Sequence, residues 1–166
     1  MRTTRSNRVL TVTTAVALAL MTMTAGPALA DGSSSGHSIL RESLVGSMPA
    51  PASPTIADVN PGGAPWVNGR STVRVREDGR ISVVLRGLVI PPPRGTGVNP
   101  IAAVVATLVC GDMVTDSTEP FALSAAGDGS TRDVISVPRH CDDPAVLIQP
   151  AANRAVYIAS AVDEDD

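Results

Sequence analysis

Residues 71–89, STVRVREDGRISVVLRGLV, read as two strands around a turn. Val73 and Val75 alternate with Arg74 and Arg76, and beyond the turn Ile81, Val83 and Leu85 alternate with Ser82, Val84 and Arg86. Period-two alternation marks strands with one face buried and one face wet. The turn length follows, because directly paired residues must share a face. A two-residue Asp78-Gly79 loop would set Arg76 against Ile81 and mix the faces. A three-residue loop, Glu77-Asp78-Gly79, sets Val75 against Ile81 and Val73 against Val83. The stretch therefore predicts a type I turn closed by a bulge, with Gly79 in the left-handed conformation. That turn leaves Arg76 facing Arg80, a repulsion for Glu77 to relieve.

The rest of the chain repeats the strand-and-turn theme. Upstream, ILRESLVGS (39–47) predicts a first strand with Leu40, Leu44 and Val45 available for burial. MPAPASPTIADVNPGGAPW (48–66) is too rich in proline for a helix and predicts a long irregular connection. Downstream, IPPPRGTGVNP (90–100) is a loop, and IAAVVATLVC (101–110) is apolar on both alternating faces, as a strand covered on both sides would be. Gly111-Asp112 turns tightly into MVT; PFALS (120–124) and TRDVISV (131–137) are further strands. AVLIQ and AVYIASA, joined by PAANR, predict a closing hairpin. About 7–8 short strands with frequent turn signals and no helical period imply an all-β fold, an antiparallel β-sandwich of Ig-like or jelly-roll-like type.

The ends speak to compartment. Arg2, Arg5 and Arg8 precede an apolar stretch that closes in Ala28-Leu29-Ala30, the small-x-small pattern a signal peptidase cuts. Residues 1–30 are expected to be a signal peptide whose removal leaves Asp31 as the new N-terminus. The apolar stretch is shorter than the ~20 residues a bilayer span needs, so no membrane span is expected after cleavage. Residues 31–38 read as a flexible lead-in, 39–162 as a single β domain and 163–166 as an acidic tail. The GSSSG at 32–36 matches a hydrolase elbow by letter but lacks the strand before it and the helix after it. Loss of residues 1–30 removes three arginines and no acid, leaving 10 arginines against 16 acids and a formal charge of about −6. That balance argues against a nucleic-acid or anionic-membrane partner. With Trp66, Phe121 and Tyr157 as the only rings, the core must be aliphatic.

Two cysteines, Cys110 and Cys141, remain in an exported chain, and an even count in an oxidising compartment predicts their disulfide. SVPRHCDDPAV (136–146) looks reactive, but a disulfide sulfur is not a thiolate, and neighbours His140 and Cys141 point to opposite faces of an extended segment. His37 and His140 with Asp142, Asp143 or the GDGS loop (127–130) form no recognisable metal-ligand spacing. No catalytic residue, metal ligand or cofactor loop is assigned. Arg74, Arg76 and Arg80 would make a basic stripe on an acidic protein, read either as a solvated face or as a contact for an anion or acidic partner.

DGRISVVLRGLV, TGVNPIAAVVATLVCGD, EPFALSAAGDG, ISVPRHC, PAVLIQP and NRAVYIAS together resemble a loose group of short exported actinobacterial proteins. Their resemblance covers about half of the chain, with both cysteines at matching places; it implies a secreted, disulfide-linked β domain and supplies no activity. A weaker likeness, in the strand-DGR-strand-GL order at 73–88, is to the chordin-type β-sandwich domain. The histidines that family often carries after its GL are missing from VIPPPRGTGVNP, so no metal is carried over.

Taken together, the expected function is a binding or structural module outside the cell, with an extracellular or cell-envelope ligand as partner. The alternatives are an extracellular hydrolase using loop carboxylates and, third, a metal-binding module. An apolar patch around Trp66 or Pro91 to Pro93 would favour binding, and a buried carboxylate pair would favour the enzyme.

Overall fold

The computed structural model describes residues 36–163; Ala28, Ala30 and Asp31, with the rest of the signal region, and residues 164–166 lie outside them. Twelve short strands and no helix form among the described residues. In one sheet β1 (Ser38–Ser43), β4 (Thr72–Arg76), β5 (Arg80–Leu85) and β9 (Gly129–Val134) run in the order β1-β4-β5-β9. In the second, β2 (Val45–Gly46), β12 (Ala159–Val162), β10 (Pro144–Pro150), β6 (Ala103–Cys110) and β7 (Met113–Ser117) run β2-β12-β10-β6-β7, and β8 (Phe121–Ala122) also pairs with β6. Pairing within both sheets is antiparallel. A small parallel pair joins β3 (Asn60–Pro61) to β11 (Val156–Tyr157).

The deciding hairpin folds in the register its turn chemistry demands. Val73 pairs with Val83 and Val75 with Ile81. The Gly79 amide closes the turn on the Arg76 carbonyl at 2.9 Å, and Gly79 has φ +83°. The counter-charge is Asp78 rather than Glu77: its carboxylate reaches Arg80 Nη1 at 3.0 Å. The shorter Asp side chain sits one residue nearer and also accepts the Arg80 amide at 3.2 Å. The next hairpin is equally local: Gly111 takes φ +58° at the first central position of the two-residue loop that pairs Cys110 with Met113.

Val73, Val75, Ile81, Val83 and Leu85 of one sheet pack against Val104, Ala106, Leu108, Val146 and Ile148 of the other, all at or near zero exposure. Burial of this aliphatic surface is the main favourable term in the fold. The opposite face of β6 and β10 is covered as well, by the proline-rich connection. Val59, with Ile56 and Ala57 beside it, packs on Val109, Ala145, Leu147 and Tyr157. This cover is held by a two-residue turn at Ala57-Asp58, where both residues have positive φ, and by the Tyr157 hydroxyl, which donates to the Pro54 carbonyl at 2.6 Å. Two-sided burial explains why IAAVVATLVC lacks a polar alternate. Its one polar residue, Thr107, is satisfied by Ser117 and Gln149.

Several expected strands are trimmed or divided. The first expected strand passes from one sheet to the other at Leu44: β1 pairs with β4 and β2 with β12. Leu44 is buried, whereas Val45, expected inside, is 66% exposed because it stands at the free edge of the second sheet. PFALS contributes only Phe121–Ala122, TRDVISV starts earlier and ends at Val134, and AVYIASA breaks at Ile158 into β11 and β12. The other side of the sandwich is closed by two carboxylates with exchanged partners. Asp116 on β7 accepts the Ser136 amide at 2.7 Å, and Asp133 on β9 accepts the Glu119 amide at 2.8 Å. Cys110 and Cys141 are disulfide-bonded, with Cα atoms 4.8 Å apart, tying the end of β6 to the segment that enters β10. Such a bond fits an oxidising compartment. Among the described residues no helix is long and apolar enough to cross a membrane.

Candidate functional site

The outer face of the four-stranded sheet collects five arginines. Paired residues share a face, so the register Arg41–Arg74, Arg74–Ser82, Ser82–Arg132 sets three arginines and a serine in one row across all four strands. Arg76 and Arg80 flank the hairpin turn, two residues along from this row. On the other side runs a row of Ser43, Thr72, Val84 and Ser130. The arginines line an open depression of about 960 Å³, with Glu42 and Asp133 among its remaining lining residues.

Few of these charges are balanced. The Arg80–Asp78 contact is the single ion pair found among the described residues. Arg74 Nε donates to Ser38 Oγ at 3.1 Å, a neutral partner that leaves its charge in place. Arg76 Nε is buried and has no hydrogen-bond partner among the described residues. Asp133 has both oxygens engaged by backbone amides, Val134 and Glu119, each at 2.8 Å. Arg41 stands directly opposite Arg74, a like-charge pairing that weakens a sheet. No Trp, Tyr or Phe is among the residues lining the depression: Trp66 and Tyr157 are buried and Phe121 packs against the core.

Of this face, the sequence singles out Arg74, Arg76 and Arg80 through the alternation of one hairpin. Arg41 and Arg132 escape it because they are distant in the chain and join the stripe only through strand order. The signal available was their phase: each is the exposed alternate of a strand, Leu40-Arg41-Glu42 and Thr131-Arg132-Asp133. Arg86 is exposed but lies just past the end of β5, outside the depression.

The other candidates are placed as follows. His140, Asp142 and Asp143 are exposed beside the disulfide; the Asp142 carbonyl accepts the Gly111 amide at 2.6 Å, a chain-fastening role. In the GDGS loop, Asp128 accepts the Gly87 amide at 3.0 Å and so anchors a turn. Among the described residues no group of three His, Cys, Asp or Glu side chains is placed to hold a metal. Trp66, expected as a possible centre of an exposed apolar patch, is instead 5% exposed in the core, while Pro92 and Pro93 remain at the surface. The carboxylate that does shift, Asp116, moves down from its ordinary range, because the Ser136 and Ser117 amides stabilise its charge. That is opposite to the rise a general acid would need. The arginine face stands on its own geometry: compared with family models, curated proteins and solved structures, the chain matches none.

Proposed function

We propose that this disulfide-linked β domain is an exported binding module whose working surface is the arginine face, and that its ligand is an anionic component of the cell exterior or envelope. The observation that carries this is Arg41 set directly against Arg74, with Arg132 completing the row and Asp78 the one carboxylate ion-paired to the cluster. A merely solvated face gains nothing from opposing like charges, whereas an anion placed among them converts repulsion into attraction. Guanidinium groups suit the task, since each presents a fork of donors matched to oxyanions and stays charged at any working pH. The chain as a whole carries a formal charge of −3, so its attraction for anions is confined to this face. Single-stranded nucleic acid is a poor fit, because no Trp, Tyr or Phe lines the depression for its bases to stack on.

The test is retention of the mature protein on washed cell-envelope fractions. The native chain is expected to bind and to be released by salt, and an Arg74→Glu/Arg132→Glu variant to stay in the supernatant while melting at a similar temperature. Equal retention of the two proteins, or retention indifferent to salt, would refute the reading.

A further inference from the structure

We infer that the anion is a linear polymer with phosphate groups along its backbone, lying across the strands from Arg132 to Arg41; this rests on the anion-binding reading above. Neighbouring strands lie about 4.8 Å apart, so a row crossing four strands is roughly 14 Å long. The Arg41 and Arg132 side chains stand at its two ends. One small anion cannot engage both; a chain of anions can. A second set of charges, Arg76 and Arg80, sits two residues along the strands, about 7 Å away, giving the track width as well as length.

Along the row the donors run guanidinium, guanidinium, hydroxyl, guanidinium, from Arg41 through Arg74 and Ser82 to Arg132. The hydroxyls of Thr72, Ser43 and Ser130 lie in the adjoining row. A carboxylate holds its two oxygens in one plane, and one arginine fork occupies both. A tetrahedral phosphate turns its oxygens to two sides, so it accepts from a fork on one strand and a hydroxyl on the next. With no Trp, Tyr or Phe among its lining residues, the depression has no broad platform for bases or for the faces of sugars. What such a surface reads is the charged linkage of a polymer, not the units between the charges.

The experiment titrates the mature protein with long-chain inorganic polyphosphate, tripolyphosphate and poly-L-glutamate by calorimetry over a salt series. Long-chain polyphosphate is expected to bind most tightly. Four of the five arginines have no ion pair among the described residues, and each phosphate contacted on a flexible chain contributes about −0.7, so the slope of log K against log salt should be about −3. Arg41→Gln and Arg132→Gln, at opposite ends of the track, should each flatten that slope by about 0.7. Arg154→Gln, on the turn after β10, should leave it unchanged. Tripolyphosphate binding as tightly as the long chain would mean a compact site and overturn the polymer inference while leaving anion binding intact. Poly-L-glutamate binding more tightly than polyphosphate would overturn the phosphate assignment. Binding of none of the three would bring down the anion-binding reading itself.

Discussion

Replacing Cys110 and Cys141 together by alanine removes a cross-link between positions 31 apart. Closing a loop of that length takes roughly 12 cal/mol/K from the unfolded ensemble, about 3.7 kcal/mol at 25 °C. Both cysteines also pack at the margin of the core, and losing their sulfurs adds roughly 1 kcal/mol. The domain has few rings and a core of modest side chains, so a loss approaching 5 kcal/mol is a large share of the ~5–15 kcal/mol typical of a native protein. With about 2.1 cal/mol/K of unfolding entropy per residue over roughly 130 residues, the melting temperature should fall by about 17 °C. Urea unfolding followed by circular dichroism separates the causes. If the bond acts through the unfolded state, its loss lets the denatured chain expand, and the urea m-value rises as stability falls. A loss under about 1.5 kcal/mol, or a full loss at unchanged m, would refute the argument, because the stabilisation would then lie in native contacts.

Three further outcomes test the rest of the fold. Tyr157→Phe leaves the Pro54 carbonyl without its donor and should cost about 1 kcal/mol in urea unfolding at neutral pH. Burial raises the Tyr157 pKa above 10.0, so its contribution is full below pH 10 and lost as pH climbs through the folded value; the phenylalanine variant should lack that alkaline loss. Asp116→Asn should lower stability at pH 6, and because the folded pKa lies below 3.8 the gap to the native protein should close only as pH falls beneath about 3.8. A gap that does not narrow as pH falls below about 3.8 would contradict this. Gly127→Ala would drive a methyl group into the Leu88 backbone at a residue with φ +77° and should cost more than about 3 kcal/mol, whereas Gly63→Ala, with open space around it, should fall within about 0.5 kcal/mol of native in the same melts.

What the chain discloses in advance divides along the range of the forces involved. The Val73–Val83 register was legible because turn length and face phase are local and admit one solution. The two-sided burial of β6 was legible from missing polar alternates, but what covers it was not. The proline-rich cover has no period, and its position depends on Tyr157, about a hundred residues away along the chain. The passage between sheets at Leu44 left no mark, since alternation continues through it while the hydrogen-bonding partner changes. The candidate site shows the same limit: one hairpin carries Arg74, Arg76 and Arg80, but a face five arginines strong exists only once β1 and β9 take their places on either side of it.

The passage at Leu44 also sets an order of assembly. In a chain that emerges amino end first, β1 meets β4 early, but β2 must wait for β12, the twelfth strand. Ser47, just past β2, bonds to the Tyr157 carbonyl across 110 positions, and such distant contacts form slowly. The centre of the second sheet, β6 with β10 and the nearby cysteines, is complete before that. β12 therefore acts as a latch. A chain cut short before β12 retains its disulfide yet leaves β2 unpaired and one edge of β10 open, so it advertises its own incompleteness as exposed strand edge, the surface that aggregation and proteolysis seek.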